Sequence, residues 1–288
     1  MRPGPSSIAA VMMAGALLLA RDAAAYCRST SCNPTIEKCV IDGNGCPRSG
    51  APLTWKSLPL TYRFHASTLE KIDDNRAREA VRRAFDTWSN VSCDGKRTSL
   101  RFEEGQEITG RMPKGKGPAK DNFGVYFRED TWPFDDANET LALTNQSYGQ
   151  VTGNIDYSDI AVNLTKREFA LADDETGIDL QAVVTHEVGH YIGLAHSRVA
   201  SSIMIERYCE SDNRCKGSID AARALGDDDV AAVCTLYPPG GSSAVTYEDP
   251  AATACATSPR GAPPALPVSA VAMAVAALFV ARRRSRRS

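Results

Sequence analysis

HEVGHYIGLAHS, residues 186–197, contains three of the four histidines of this 288-residue chain. His186 and His190 are four positions apart, so a helix would project both side chains from one face. An apolar side chain also recurs at every fourth position of this region, and Asp179 can cap the helix. The apolar positions are Leu180, Val184, Val188 and Ile192. The two imidazoles would lie about 200° around the helix axis from this apolar row, on the side that faces away from the core.

The residues that follow this helix complete the pattern of a metal site. Gly193 can take a backbone conformation that is forbidden to most residues, which would end the helix and turn the chain back. The turn would bring His196 to His186 and His190, and three neutral imidazoles around an open fourth position are typical of catalytic zinc. Glu187 would take a proton from the zinc-bound water as general base. A bare HExxH also arises by chance on surface or core histidines, but the longer HExxHxxGxxH pattern favours zinc.

This extended motif resembles that of the metzincin metalloproteases and, within them, of the matrixins. Met204 lies at the interval where metzincins have a methionine turn beneath the metal. Ser197, the residue after the third histidine, resembles the serine that matrixins have at that position. The resemblance assigns Tyr208 to the wall of the pocket for the residue just after the scissile bond. Glu206 stands where matrixins have a proline in the same segment.

The resemblance implies an α+β fold with a twisted mixed sheet of about five strands and three helices. Apolar alternation predicts strands near residues 60–64, 100–102, 123–127 and 141–143, and helical periodicity predicts a helix over 73–91. A last helix is expected after the acidic triplet 227–229. Leu141-Ala142-Leu143 resembles the matrixin edge strand, which implies that Leu141 and Ala142 bind extended substrate at a free edge by backbone hydrogen bonds.

The resemblance also bears on further metals. Vertebrate matrixins bind a second, structural zinc through histidines that are replaced here, one of them by Leu143, so we expect one zinc per chain. His65 is the remaining histidine, and we expect it to end a strand in solvent. Four aspartates lie where matrixin calcium loops would be, and acidic loops supply the oxygen ligands that calcium prefers. These candidate calcium ligands are Asp135, Asp136, Asp156 and Asp159. A solvated acidic surface is the alternative.

The start of the chain indicates export. Residues 1–25 combine Arg2, an apolar run and an alanine-rich cleavage site, which predicts a secretory signal peptide. All nine cysteines follow it, and the first eight predict a disulfide framework. Proximity favours Cys209 with Cys215, and pairs among the four cysteines of the Cys-rich segment 26–54. A metal cluster is the alternative for those four, although their spacing lacks the Cys-x-x-Cys of structural zinc sites.

Segment 26–54 also raises the question of latency. Animal matrixins are silenced by a pro-segment whose cysteine ligates the zinc, and CPRSG at residues 46–50 has similar letters in another order. A thiol switch and a disulfide-pinned cap or leader are both open, and we favour the cap or leader.

The composition changes after the predicted catalytic domain, residues 55–239. Residues 240–264 are rich in Gly, Ser, Ala and Pro, as in a flexible linker. Residues 265–281 carry no charge and precede five arginines, so segment 265–288 predicts membrane association with its basic end in the cytoplasm. Together with Cys255, this arrangement resembles the sorting tails of myxobacterial surface proteins, which implies transient tethering and removal of the tail during export.

The charge of the chain narrows the class of partner. The whole chain has a formal charge of −2, and residues 1–25 and 259–288 carry +1 and +6, so the part between them carries −9. This argues against nucleic acid and is compatible with bound cations. We expect a secreted or surface-tethered zinc endopeptidase that acts on proteins or peptides. The alternatives are a non-enzymatic zinc-binding adhesin on the same fold, against which Glu187 argues, and a zincin of another lineage.

Overall fold

The computed structural model describes residues 26–113, 123–171, 177–206 and 223–241, together with the backbone of residues 272–275. The helices are α1 (Asp74–Ser89), α2 (Leu180–Tyr191) and α3 (Asp227–Leu236). The strands are β1 (Leu60–Phe64), β2 (Ser92–Cys93), β3 (Lys96–Arg97), β4 (Phe102–Glu104), β5 (Gly124–Arg128), β6 (Ala142–Tyr148), β7 (Ile155–Asn163), β8 (Phe169–Ala170), β9 (Ile178–Asp179) and β10 (Ala272–Val275).

One mixed sheet is the framework of this α+β fold. Its strand order is β10-β6-β7-β5-β1-β4. Strands β7, β5, β1 and β4 run parallel to one another, whereas β6 is antiparallel to β7 and β10 is antiparallel to β6. The predicted mixed sheet of about five strands is therefore confirmed, and β10 extends it along β6. The predicted helices are confirmed as well.

The helices begin with the caps that their sequences predict. The carboxylate of Asp73 accepts a hydrogen bond from a first-turn backbone N–H of α1 at 2.8 Å, and Asp179 does the same for α2 at 2.8 Å. Helix α3 begins at Asp227 after an N-cap at Gly226, so the acidic triplet lies in its first turn instead of preceding it. Carboxylates at this end face the positive end of the helix dipole.

Helix α2 is buried on all sides, which corrects the prediction that its histidines face away from the core. The side chains of His186 and His190 are 0% exposed. Trp88 of α1 donates from Nε1 to the carbonyl of Thr185 at 2.7 Å. On the other side, Gln146 of β6 donates from Nε2 to the carbonyl of His190 at 2.9 Å. The periodicity of α2 located one buried face, but α1 and β6 together cover the rest.

The strands beside α2 are also more buried than alternation suggests. Strand β1 alternates between buried and half-buried residues as predicted, but every residue of β5 and β6 is buried. Strand β7 has no simple apolar alternation, and yet it lies between β5 and β6. One buried polar residue of β7, Asp159, is stabilised by a hydrogen bond that it accepts from the backbone N–H of Gly124 at 2.7 Å.

Three disulfides cross-link the described residues. Cys27 pairs with Cys46 and Cys32 with Cys39, which confirms pairing among the first four cysteines. These bonds leave none of the four as a thiol, so the thiol switch and the metal cluster are both wrong for this structure. The third bond joins Cys93, beside the sheet, to Cys234 in α3. The predicted pair of cysteines at 209 and 215 lies outside the described residues.

The two ends of the chain are described only in part. The predicted signal peptide lies outside the described residues, as do residues 242–264 of the predicted linker and most of segment 265–288. Its residues 272–275 form β10, which pairs with Thr144–Ser147 of β6. No helix within the described ranges is both long and apolar enough to cross a bilayer.

Candidate metal centre

The structure brings the three predicted ligands together. His186 and His190 project from α2, and Gly193, with φ of 99°, turns the chain so that His196 returns to the same point. The ligand nitrogens of the three rings all lie within 4.8 Å of one another. Nε2 of His190 lies 3.2 Å from Nε2 of His196. Tetrahedral zinc with bonds of about 2.0–2.1 Å requires nitrogens about 3.3–3.4 Å apart, so this spacing fits the metal.

Backbone carbonyls set the orientation of two of the rings. Nδ1 of His186 is 2.7 Å from the carbonyl oxygen of Ile203, and Nδ1 of His190 is 2.8 Å from that of Leu194. A carbonyl oxygen only accepts hydrogen bonds, so each Nδ1 carries the proton and donates. The lone pair of each ring is then on Nε2, which is the nitrogen that points into the site.

The electrostatic environment keeps these imidazoles neutral. Burial and the two neighbouring rings hold the pKa of His186 well below its usual value. Burial, followed by the charge of His196, lowers the pKa of His190 to about 3, and burial also lowers the pKa of His196. Neutral imidazole is the form that binds a metal, so the donor set fits zinc in charge as well as in spacing.

Glu187 supplies a buried carboxylate beside the first of these ligands. Burial raises its pKa to about 8, and hydrogen bonds from Thr144 oppose this shift. The hydroxyl of Thr144 lies 2.6 Å from Oε2 of Glu187 and 2.9 Å from its carbonyl oxygen. Oε1 of Glu187 is buried and has no hydrogen-bond partner among the described residues. A buried, unsatisfied carboxylate oxygen beside three neutral imidazoles fits a group that handles the proton of a metal-bound water.

Sequence reasoning missed Thr144. The signal was available in principle, because strand periodicity puts residue 144 on the same face of β6 as Ala142. Only the packing of β6 on α2 shows that this face meets Glu187.

Met204, the residue predicted to form a methionine turn, lies against α2. Met204 is buried, and its carbonyl accepts a hydrogen bond from the backbone of Ser197 at 2.8 Å. The Sδ atom of Met204 occupies the space beside Gly189, where an added Cβ would lie only 2.1 Å from it. This glycine lets the turn approach helix α2 closely.

Two aspartates at the start of α3 hold this turn in place. Asp228 accepts a hydrogen bond from the hydroxyl of Ser197 at 2.8 Å. Asp229 accepts from the hydroxyl of Ser202 at 2.5 Å and from the backbone of Ile203 at 2.8 Å. The sequence indicated these aspartates only as a helix start, and their contact with the loop beneath the histidines depends on the fold.

The remaining predicted site residues are not gathered into one group. Leu141 and Ala142 are buried at the start of β6, and β10 pairs with the residues just after them, so the edge of β6 is not free along its whole length. Tyr208 lies outside the described residues. His65 is buried, with Nε2 donating to the carbonyl of Gly110 at 3.0 Å, so the prediction that it faces solvent is wrong.

The candidate calcium ligands lie in two parts of the fold. Asp135 and Asp136 precede β6, whereas Asp156 and Asp159 belong to β7. Within the described ranges, the histidine triad is the one group of three or more such side chains close enough to share a metal. Calcium binding stays a prediction.

Comparison with known proteins agrees with this geometry. The profile of the matrixin peptidase family matches residues 54–238. Matrix metalloproteinase-26 of Homo sapiens is 30% identical over 198 residues, which cover 69% of this chain and 65% of that protein. Stromelysin-1 of Rattus norvegicus is 29% identical over 66% of this chain and 34% of its own length. Metalloendoproteinase 1-MMP of Arabidopsis thaliana is 30% identical over 64% of this chain and 44% of its own length. The chain thus spans less than two thirds of each of these relatives.

Proposed function

This chain belongs to the matrixin family, and from that premise we propose that it is a zinc endopeptidase that hydrolyses peptide bonds in proteins or peptides. One observation carries the proposal. Three neutral imidazoles converge within 4.8 Å beside the buried carboxylate of Glu187. This is the donor set of a catalytic zinc site, which has three protein ligands and keeps one coordination position open.

The proposed roles follow from the geometry of each side chain. His186, His190 and His196 would hold the zinc, and the metal would supply Lewis-acid activation of water and of the scissile carbonyl. The positive charge of zinc would oppose the effect of burial on the pKa of Glu187 and favour its carboxylate form. In that form Glu187 would accept a proton from the attacking water and return it to the leaving amine as general acid. Thr144 orients the carboxylate through Oε2, so that the unpaired Oε1 is the oxygen left to exchange the proton.

We place the substrate along β6. Backbone groups at Leu141 and Ala142 would bind an extended peptide as an added strand, and Tyr208 would form part of the pocket after the scissile bond. The pairing of β10 with Thr144–Ser147 supports this placement, because it shows that β6 accepts an antiparallel strand on this side.

We also propose that the protein works outside the cytoplasm. The three disulfides are typical of an oxidising compartment. The apolar run in residues 1–25 would direct export, and segment 265–288 would tether the protein to a membrane until it is removed. Calcium, if bound, would contact the aspartates at residues 135, 136, 156 and 159.

The test separates a protease from a zinc-binding adhesin. Glu187→Gln replaces the carboxylate with an amide of the same shape, so it should keep one zinc and lose roughly 10²–10⁴-fold in kcat on unfolded protein or peptide substrates. Glu104→Gln is the control, because it makes the same chemical change on β4, the edge strand separated from β6 by β7, β5 and β1, and it should cleave like the parent. Equal cleavage by parent and Glu187→Gln would refute the assignment of the base. A parent that binds zinc and cleaves none of these substrates would support the adhesin instead.

A further inference from the structure

The Cys-rich segment 26–54 contacts the turn that carries the metal ligands. Almost all of this segment precedes residues 54–238, the range that the family profile matches. The backbone of Ser29 donates to the carbonyl of Gly193 at 2.9 Å, and the backbone of Ala195 donates to the carbonyl of Cys27 at 2.9 Å. These two bonds form an antiparallel bridge between Arg28 and the turn. The segment is therefore joined by main-chain hydrogen bonds to the residue just before His196.

The side chain of Ser29 is linked to His190 through a carbonyl oxygen to which both donate hydrogen bonds. The hydroxyl of Ser29 donates to the carbonyl oxygen of Leu194 at 2.9 Å, in a buried position. The same oxygen accepts the bond from Nδ1 of His190 at 2.8 Å. Ser29 thus fixes the direction of the acceptor that orients this imidazole. Partners of this kind keep the ring of a metal ligand in place and tune its basicity.

One disulfide holds the segment in the shape that makes these contacts. Cys27 and Cys46 are both buried and close a loop with a sequence separation of 19. From the far side of this loop, the carbonyl of Gly43 accepts a hydrogen bond from Nη1 of Arg198 at 3.1 Å. Residues on both sides of His196 are therefore bonded to the same cross-linked loop. Such a bond removes conformational freedom that a short segment with a small core of its own would otherwise keep.

We infer that segment 26–54 is a brace for the zinc site: Ser29 and the Cys27–Cys46 loop position His190 and His196, and the affinity of this chain for zinc depends on them. Ser29 is a positioning residue, since it acts through the carbonyl of Leu194. The inference rests on the proposed zinc site. It gives the segment a role in metal binding, whereas the sequence led us to favour a disulfide-pinned cap or leader.

The test measures zinc affinity by competition with a chromophoric chelator, and ligand geometry by the visible spectrum of the Co²⁺-substituted protein. Ser29→Ala should weaken zinc binding several-fold and alter the Co²⁺ spectrum, whereas Ser29→Thr, which keeps the hydroxyl, should restore both. Loss of the disulfide in Cys27→Ser/Cys46→Ser should weaken binding by roughly 10–100-fold, the range for outer partners of metal ligands. Cys32→Ser/Cys39→Ser is the matched control, because that disulfide closes a loop in the same segment and makes none of the bonds to the turn.

The outcomes separate the inference from the proposed function. A parent chain that binds no zinc would refute both. A parent that binds one zinc, with Ser29→Ala equal to it in affinity and Co²⁺ spectrum, would overturn the brace alone. Equal losses in the two double cysteine variants would also overturn it, since the effect would then be general to the segment. Ser29→Ala decides the matter if a cysteine variant fails to fold.

Discussion

Glycine is expected to be required at position 189 of α2, because the side chain of Met204 packs against it, and Gly189→Ala tests this. A Cβ at this position would lie 2.1 Å from Sδ of Met204, 3.0 Å from its Cε and 3.0 Å from Cζ2 of Trp88. Comfortable contacts between such atoms are about 3.5–4.0 Å, so Sδ must move by roughly 1.5–2 Å. Met204 is 2% exposed and Trp88 is 0% exposed, so their movement is confined.

Two opposing effects decide the sign of the change in stability. Alanine is a better helix former than glycine by about 1 kcal/mol in a helix interior. Overpacking of a filled core costs about 1–3 kcal/mol. Met204 has a flexible side chain, which softens the clash, but its backbone is held by hydrogen bonds to Ser197 and Ser202 at 2.8 and 3.0 Å. We expect a net loss of up to about 2 kcal/mol in the free energy of unfolding, from the difference between these effects.

Urea unfolding of a double-mutant cycle measures the clash directly. Met204→Ala alone should cost about 2–5 kcal/mol, because it leaves a cavity. In that background Gly189→Ala no longer meets Sδ or Cε, so its cost should fall to that of the remaining contact with Cζ2 of Trp88, offset by a helix-propensity gain of up to about 1 kcal/mol. The explanation is wrong if Gly189→Ala stabilises the parent, or if it costs the same in both backgrounds.

Three further outcomes are expected. Metal analysis of the purified chain should find one tightly held zinc, and two tightly held zincs would contradict that prediction. Chelation should lower Tm, because a ligand at about 1,000 times its Kd stabilises the folded state by about 4 kcal/mol. Cys93→Ser/Cys234→Ser removes a disulfide that spans a sequence separation of 141, so it should lower the free energy of unfolding in urea by up to about 5 kcal/mol. A decrease below about 1 kcal/mol would show that this cross-link constrains the unfolded chain little. The hydrogen bond from Arg82 to Glu104 at 2.7 Å lowers the pKa of Glu104, so this carboxylate stabilises the fold above its unfolded pKa and the contribution is lost as pH falls through the folded pKa. Glu104→Gln should therefore flatten the acid limb of a stability profile, and an unchanged limb would contradict the pairing.

The sequence alone determined the features that depend on spacing within a short stretch. The i, i+4 separation of His186 and His190 requires a helix, Gly193 permits the turn, and His196 follows at a fixed interval. Caps such as Asp73 act on the next turn of the same helix, so they too could be identified without the fold. For the same reason the candidate zinc ligands and the candidate base could be proposed before the structure was known.

Pairing among the early cysteines depended on proximity along the chain and was predicted correctly. The partner of Cys93 was not predicted, because Cys234 lies 141 positions away and sequence distance carries no information at that range. The predicted exposure of α2 failed for a related reason. Periodicity identifies one apolar face, but whether the opposite face meets water or another element depends on packing.

Only the tertiary structure decided what surrounds the site. It placed the hydroxyl of Thr144 on Glu187, the aspartates of α3 beneath the methionine turn, and Ser29 on the carbonyl that orients His190. Each of these contacts joins residues that are at least 26 positions apart in the chain. A local sequence pattern can identify candidate metal ligands. The groups that orient those ligands can be identified only in the folded chain, because hydrogen bonds act over about 3 Å.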